Sequence, residues 1–424
     1  MSKKLITILF TGLLVQANCS VEYPEKPDGS YESPNGAGVL EVTDGVKVLK
    51  LSGTNYEMGY AHGNLLAEEI VYFLEEFGFW FIKERNEDYE ELVAAMSMVS
   101  WTEGYKQELE GMVAGIEDKL GSVEIKPPGS KKKNLDIYDL MVMNTGGDWA
   151  CSSFSIWGDG TEDGGSMIAR NLDYTVDPSD AFKLCQVIVS FDDGIHKRFA
   201  GVVWCGMVGA ASTMNEDGVC MMTHDTNFYP TSDEEGIYPR GIVQRMVAEN
   251  IGADNDPFDV EAMLDTTPVH TGNNYHVLFP AQGKGSDDAI AAVLEFDGDA
   301  TRPDGRATLR SPSDNPNLPC DGNYDQRLEK TNCIICTNHY LERKTWIPED
   351  GPNRYLHLKD SLVNMEGYMN LDMARNMADD VGHSGTSHTV IFEPDNMKLH
   401  IYLAEPDKGA FESRRLDYDF EDLF

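Results

Sequence analysis

Two short β-type runs, residues 152–157 and 166–171, are separated by the acidic, glycine-rich stretch 159–165. Runs of this length around such a turn read as a β-hairpin. The hairpin also marks a change of texture. Before Trp149 the chain carries helical periodicity; beyond it, short strands and turns dominate. Within 56–83, Leu66, Ile70, Phe73, Phe77 and Trp80 recur at helical spacing and predict one long helix. Helical pattern returns at 89–98, 103–120 and 135–144, with the basic, Pro- and Gly-containing 126–133 as a surface loop. Upstream, 39–52 alternates about Asp44-Gly45, the signature of a tight hairpin. Downstream, strands are expected at 186–191, 198–204, 219–222, 276–279, 291–296, 333–337, 389–393 and 398–403, and helices at 241–250 and 260–264. Strands, helices and strands again predict an α+β fold of stacked antiparallel sheets with helices outside.

The composition supports a large core. Hydrophobic residues make up 41% of the 424 residues, which excludes disorder, collagen-like repeats and coiled coil. Lys and Arg number 34 against 72 Asp and Glu, a net charge of −38, so nucleic acid and anionic membranes are excluded as partners. Residues 1–17 pair Lys3 and Lys4 with an apolar stretch and small residues at Val15 and Ala17, the pattern of a secretory signal too short to anchor. The expected location is secreted or periplasmic, in the cell envelope. Cys19 is preceded by Asn18, where lipidation sites carry Gly, Ala or Ser, so membrane contact is expected only if Cys19 is lipidated. Residues 18–38, rich in Pro, Gly and Ser, read as a linker.

Cys333-Ile-Ile-Cys336 has redox or metal spacing, but it lies in an apolar strand pattern, where i and i+3 face opposite ways. With no second Cys/His pair these read as core cysteines, and no metal is expected. Asp297-Gly-Asp299 to Gly305 lacks the spacing of a calcium loop and reads as an acidic turn. No phosphate-binding or dinucleotide fingerprint appears, so no cofactor is expected.

The hairpin is where chemistry is expected. Cys151 opens its first strand, and Arg170 and Asp173 end its second, so folding brings the three together. A thiol, with a pKa near about 8.5, needs a base or a positive charge to act at neutral pH. Arg170 supplies charge, and Asp173 can orient a base. No His lies in this stretch. One candidate base is the α-amine of Cys151 itself, freed by cleavage after Ala150, since such amines titrate near about 7.7–8.0. Another is His339, in a Cys–His dyad. A buried Cys beside an ordinary ion pair fits the same spacing. His62 reads as a packing or capping residue, and His383 and His388 make no metal set.

With these residues in view, the chain resembles the N-terminal-nucleophile (Ntn) hydrolases of the penicillin acyltransferase type, related to choloylglycine hydrolases, acid ceramidases and phospholipase B-like proteins. The motifs run from about Gly53 to Leu403. They are Gly53-Thr-Asn-Tyr-Glu-Met-Gly-Tyr-Ala-His-Gly63; Cys151 with Arg170-Asn171-Leu172-Asp173; Gly206-Met-Val-Gly-Ala with Met214-Asn-Glu-Asp-Gly218; Cys336-Thr-Asn-His339; and Asn353-Arg-Tyr355 before a helix. The resemblance implies an αββα four-layer sandwich and a precursor that cuts itself between Ala150 and Cys151. Residues 39–150 would be a helical pro-segment that stays bound to the catalytic part, 151–424. Cys151 would be nucleophile and, through its amine, base. Asp173 would bind the amine, Arg170 would position thiol and amine, Asn338 would donate to the oxyanion or hold the amine, and Arg354 would organise the site. Asn215, His224 and Asp225 are candidate oxyanion or substrate contacts, because the family's Asn after "Asn-Glu-x-Gly" has no clear counterpart here. The substrate implied is a small-molecule N-acyl amide. The alternatives are a phospholipase B-like lipid hydrolase and a non-catalytic secreted lipoprotein of the same fold.

Overall fold

Ala150–Trp157 and Ser166–Asp173 pair antiparallel, with Ala150 opposite Asp173, Cys151 opposite Leu172 and Ser153 opposite Arg170. The computed structural model describes residues 22–145, 150–174, 177–226, 236–269, 272–281, 290–299, 301, 305–321, 324–343 and 351–424. The expected signal segment and Cys19 lie outside the described residues.

The hairpin sits inside a six-stranded sheet, flanked by Cys333–Cys336 on one side and by Thr386–Glu393, Lys398–Leu403 and Leu416–Asp419 on the other. A second, ten-stranded sheet runs in the order Gly29–Glu32, Gly38–Thr43, Val46–Ser52, Gln186–Asp192, Phe199–Trp204, Ser212–Asn215, Cys220–Asp225, Asn273–Leu278, Ala291–Phe296 and Ala307–Arg310. Neighbours are antiparallel except Val46–Ser52 with Gln186–Asp192, which are parallel.

Side-chain alternation sorts the layers. Ile168, Ile334, Val390, Phe392 and Ile401 of the small sheet share a buried cluster with Val202, Met214 and Met222 of the large one. The intervening Phe154, Ala169, Ile335 and Ile391 pack instead against Tyr355 and Leu358 of helix Gly351–Asn364 and Ala374 and Met377 of helix Leu371–Asp380. Helices Asn55–Leu65, Glu103–Leu120 and Ile137–Thr145 cover the far face of the large sheet over Leu49, Val187, Val189 and Val203. The result is the expected αββα sandwich. Cys333 and Cys336 fall in clusters on opposite faces of their strand, as the spacing predicts.

Three expectations need correction. Residues 22–38 are not only a linker: Gly29–Glu32 is the edge strand of the large sheet, because it can pair with Gly38–Thr43 across a short turn. The segment 39–150, read as a helical pro-segment, is not helical throughout: the hairpin expected over 39–52 forms as Gly38–Thr43 and Val46–Ser52, and it joins the same sheet as later strands. The single helix expected over 56–83 breaks at Leu66 and resumes as Ala67–Tyr72, a π-helical turn Phe73–Gly78, and Phe79–Glu84. The wider turn buries both Phe73 and Phe77 and stacks their rings at 4.9 Å, while Phe77 also meets Tyr174 and Phe182.

The glycines of the first motif have a packing reason. A Cβ at Gly59 or Gly63 would run into the backbone of Glu108 or Met112, and one at Gly111 or Gly115 into that of Tyr56 or Tyr60. Helices Asn55–Leu65 and Glu103–Leu120 therefore touch backbone to backbone. Gly63→Ala is expected to cost about 2–3 kcal/mol of stability in urea unfolding, because neither helix can retreat from a buried interface. His62, on the first of these helices, is fully buried and its Nε2 accepts from Gly206 N–H at 3.0 Å. Burial lowers its pKa to about 3, so it is a neutral structural acceptor, as expected. Arg245 completes the clamp with Nη1 at 2.9 Å from Glu108 and Nε at 2.7 Å from Glu249. That buried pair ties the region before Cys151 to the region after it.

At the other edge of the small sheet, His400 lies between Glu393 Oε2 at 3.0 Å and Asp417 Oδ1 at 2.6 Å. Burial alone would lower its pKa, but the two carboxylates outweigh burial and raise it. A raised folded-state value stabilises fully below the unfolded value of about 6.5, and the gain is lost as pH rises through the folded value. His400→Gln should therefore lower the urea midpoint more at about pH 5.5 than at about pH 9.

Candidate active site

Because Phe154 and Ile156 point to the outer helices, Cys151, Ser153 and Ser155 point between the sheets. The Cys151 side chain is fully buried there. Arg170, on the neighbouring strand, lies alongside and places Nη2 at 3.0 Å from Sγ. The guanidinium is itself held by the large sheet: Nη1 donates to Ala211 O at 2.8 Å and to Ser212 Oγ, and Nη2 donates to Thr223 O at 2.8 Å. Burial pushes the Cys151 thiol up, while the charge of Arg170 and its hydrogen bond pull it down.

The backbone N–H of Cys151 donates to Asn338 Oδ1 at 2.6 Å. Asn338 follows strand Cys333–Cys336, which pairs with Ala150–Trp157, so sheet geometry delivers it. Its Nδ2 donates to the backbone carbonyl of Asp225. Arg354, near the start of helix Gly351–Asn364, bridges the site. Its Nη2 reaches Asn338 Oδ1 at 2.8 Å and its Nη1 reaches Asp173 Oδ2 at 3.1 Å. The Asp173 side chain is fully buried, and its Oδ1 accepts from Thr386 Oγ1 at 2.6 Å. Thus Cys151, Arg170, Asp173, Asn338 and Arg354 form one connected constellation. Ala150, facing Asp173 in register, is at its exposed edge.

The remaining candidates take other parts. Asn215 buttresses a turn: Nδ2 donates to Ala248 O and Ile251 O, and Oδ1 accepts from Asp217 N–H and Val219 N–H. These bonds use its side-chain donors and acceptors within the fold. His224 lies in the layer between the sheets. It is fully buried under Ser153, Nε2 at 2.8 Å from the hydroxyl; Ser153 continues to His276 Nδ1 at 2.7 Å, and His276 Nε2 lies 2.9 Å from Ser155 Oγ. Burial holds His224 well below the usual imidazole range and His276 at about 3, so this chain is a neutral polar layer between the sheets. Asp225 enters through its carbonyl on Asn338, while its carboxylate pairs with Arg240 at 3.1 Å.

The Cys–His dyad loses support. His339 has Nδ1 at 2.9 Å from Thr337 Oγ1 and Nε2 at 3.0 Å from Gln326, and burial lowers its pKa to about 3. His388 is engaged by Ser212 and Gln186. Both rings are engaged at both nitrogens within the fold. Thr386 is the site residue that sequence reasoning missed. A Thr opening a strand carries no signal of its own beyond β-propensity.

Among solved structures, this chain is similar to the Caenorhabditis elegans N-acylethanolamine-hydrolyzing acid amidase ortholog, at 15% identity and TM-score 0.40 over 58% of this chain and 93% of that one. A variant of the conjugated bile acid hydrolase from Clostridium perfringens gives 13% identity and TM-score 0.42 over 64% and 93%. Penicillin V acylase from Agrobacterium tumefaciens gives 13% and 0.40 over 64% and 88%. No curated protein sequence matches at a significant level. Residues 160–408, more than half of the chain and including Arg170, Asp173, Asn338 and Arg354, match the family described as acyl-coenzyme A:6-aminopenicillanic acid acyl-transferase. The chain belongs to that family of Ntn-type amide hydrolases and acyltransferases.

Proposed function

We propose that the protein is an exported, self-processing N-terminal-cysteine hydrolase or acyltransferase acting on linear amides of small molecules. The observation that carries this reading is the double grip on Cys151: Arg170 on its thiol and Asn338 on its backbone N–H. In the precursor, Sγ attacks the Ala150 carbonyl carbon and the Cys151 nitrogen leaves with the thiol proton, giving a thioester and a free amine. Water then cleaves the thioester, releasing residues before Cys151 as a separate chain held by the Arg245–Glu108 pair. The freed amine, hydrogen-bonded to Asn338, takes the thiol proton when Sγ attacks an external acyl amide and returns it to the departing amine. A water or a second amine resolves the acyl-thioester, giving hydrolysis or acyl transfer. Asp173 and Arg354 hold the amine and Asn338 in place. No step calls on a metal or an organic cofactor.

A panel of N-acyl p-nitroanilides and matched esters, with and without hydroxylamine as acceptor, tests the reading. Amide turnover and hydroxamate formation are expected from the wild type and not from Cys151→Ala. Ester-only activity would point to a lipid ester hydrolase instead, and no turnover of either class would favour a binding protein.

A further inference from the structure

Asp173 is held by more than Arg354. The turn His383-Ser384-Gly385-Thr386 closes on itself: His383 N–H donates to Thr386 Oγ1 at 3.0 Å, and Thr386 N–H donates to His383 O at 2.8 Å. The same Thr386 hydroxyl donates its hydrogen to Asp173 Oδ1 at 2.6 Å. The His383 ring is also fixed. Its Nδ1 accepts from Gly385 N–H at 3.0 Å, so the ring proton sits on Nε2, which faces Asp173 Oδ2 at 3.8 Å. Gly385 is obligatory, because a Cβ there would strike the carbonyl oxygen of Tyr174. Its own carbonyl accepts from Tyr174 N–H at 2.9 Å, which clamps the turn to the end of the Asp173 strand. Thr386, Asp173 and Ala150 are register partners across three adjacent strands, so one strand lies between the turn and the expected scissile bond. The His383 side chain is 54% exposed, while Asp173 beneath it is fully buried.

We propose that the His383–Thr386 turn is a clasp for Asp173 and that His383 is a positioning residue, its Nε2–H closing the solvent side of the carboxylate. The orientation of the exposed imidazole is set by the Gly385 N–H bond to Nδ1. The consequence for the reaction rests on the self-processing reading above. A carboxylate held still keeps the Cys151 amine oriented, whereas one released to solvent does not.

The test compares His383→Ala with His383→Gln, whose amide N–H can still reach Asp173. Three quantities are read in the full chain: the first-order rate constant of self-cleavage, kcat and KM for an N-acyl p-nitroanilide, and the rate of Cys151 alkylation by iodoacetamide. His383→Ala should lower self-cleavage and kcat about tenfold with KM nearly unchanged, and His383→Gln should recover most of the loss. Alkylation should be about threefold faster in His383→Ala, because a fixed carboxylate disfavours a nearby thiolate. Should His383→Ala not fold, His383→Asn, which keeps the Gly385 bond but is too short for Asp173, replaces it. An alanine variant matching the wild type in all three, or a glutamine variant as impaired as alanine, overturns the clasp. If the wild type neither cuts itself nor turns over amides, the functional reading falls, and the alkylation rates alone decide: unequal for Ala and Gln supports the clasp, equal overturns it.

Discussion

Cys151→Ala should remain a single chain and lose amide turnover by at least about 10⁴-fold. The size follows from the double use of one residue. In the proposed mechanism its sulfur, placed against Arg170, is the nucleophile, and its nitrogen becomes the base only if the sulfur has first cut the chain. The substitution removes one buried sulfur atom and leaves the strand intact, so the protein should fold with a similar melting temperature. Cys151→Ser separates the two roles. A hydroxyl retains the geometry but, with a far higher pKa, cuts slowly, so partial processing with little turnover is expected. Gel or mass analysis of both variants beside turnover assays checks this.

Asn338→Ala carries the second large effect. Asn338 Oδ1 accepts from both Cys151 N–H and Arg354, and Nδ2 holds the Asp225 carbonyl. Its loss therefore frees the amine, unpairs Arg354 on one side and loosens the end of strand Cys220–Asp225. A fall of about 10²–10³ in kcat, the scale of a lost oxyanion-type donor, is expected, with slower self-cleavage. Asn338→Asp keeps an acceptor but places a second carboxylate beside Asp173, so it should rescue folding without rescuing rate. Steady-state kinetics on the two variants tests the assignment.

The path from sequence to this site was uneven, for physical reasons. Arg170 and Asp173 were legible because a hairpin has one geometry: a turn at 159–165 must return them beside Cys151. Asn338 and Arg354 were not legible from spacing. They reach the site through a neighbouring strand and a following helix far along the chain, and only the resemblance pointed to them. The polar layer of Ser153, Ser155, His224 and His276 misleads in a specific way. Polar residues alternating in a strand normally face water, but here the alternate face is buried between sheets and its valences are satisfied internally. The break at Leu66 was hidden because the apolar spacing continues through it, and the π-turn that realigns Phe77 is a tertiary demand. Strands Ser212–Asn215 and Ala307–Arg310 are four residues each, below the length at which periodicity speaks.

Intact mass spectrometry of the purified, denatured protein beside Cys151→Ala tests the central claim most directly. The account predicts two chains for the wild type, the larger beginning at Cys151, and one chain for the variant. A wild type that stays whole at both neutral and acid pH, with mass equal to the variant's apart from the sulfur, would contradict self-processing and with it the free-amine mechanism.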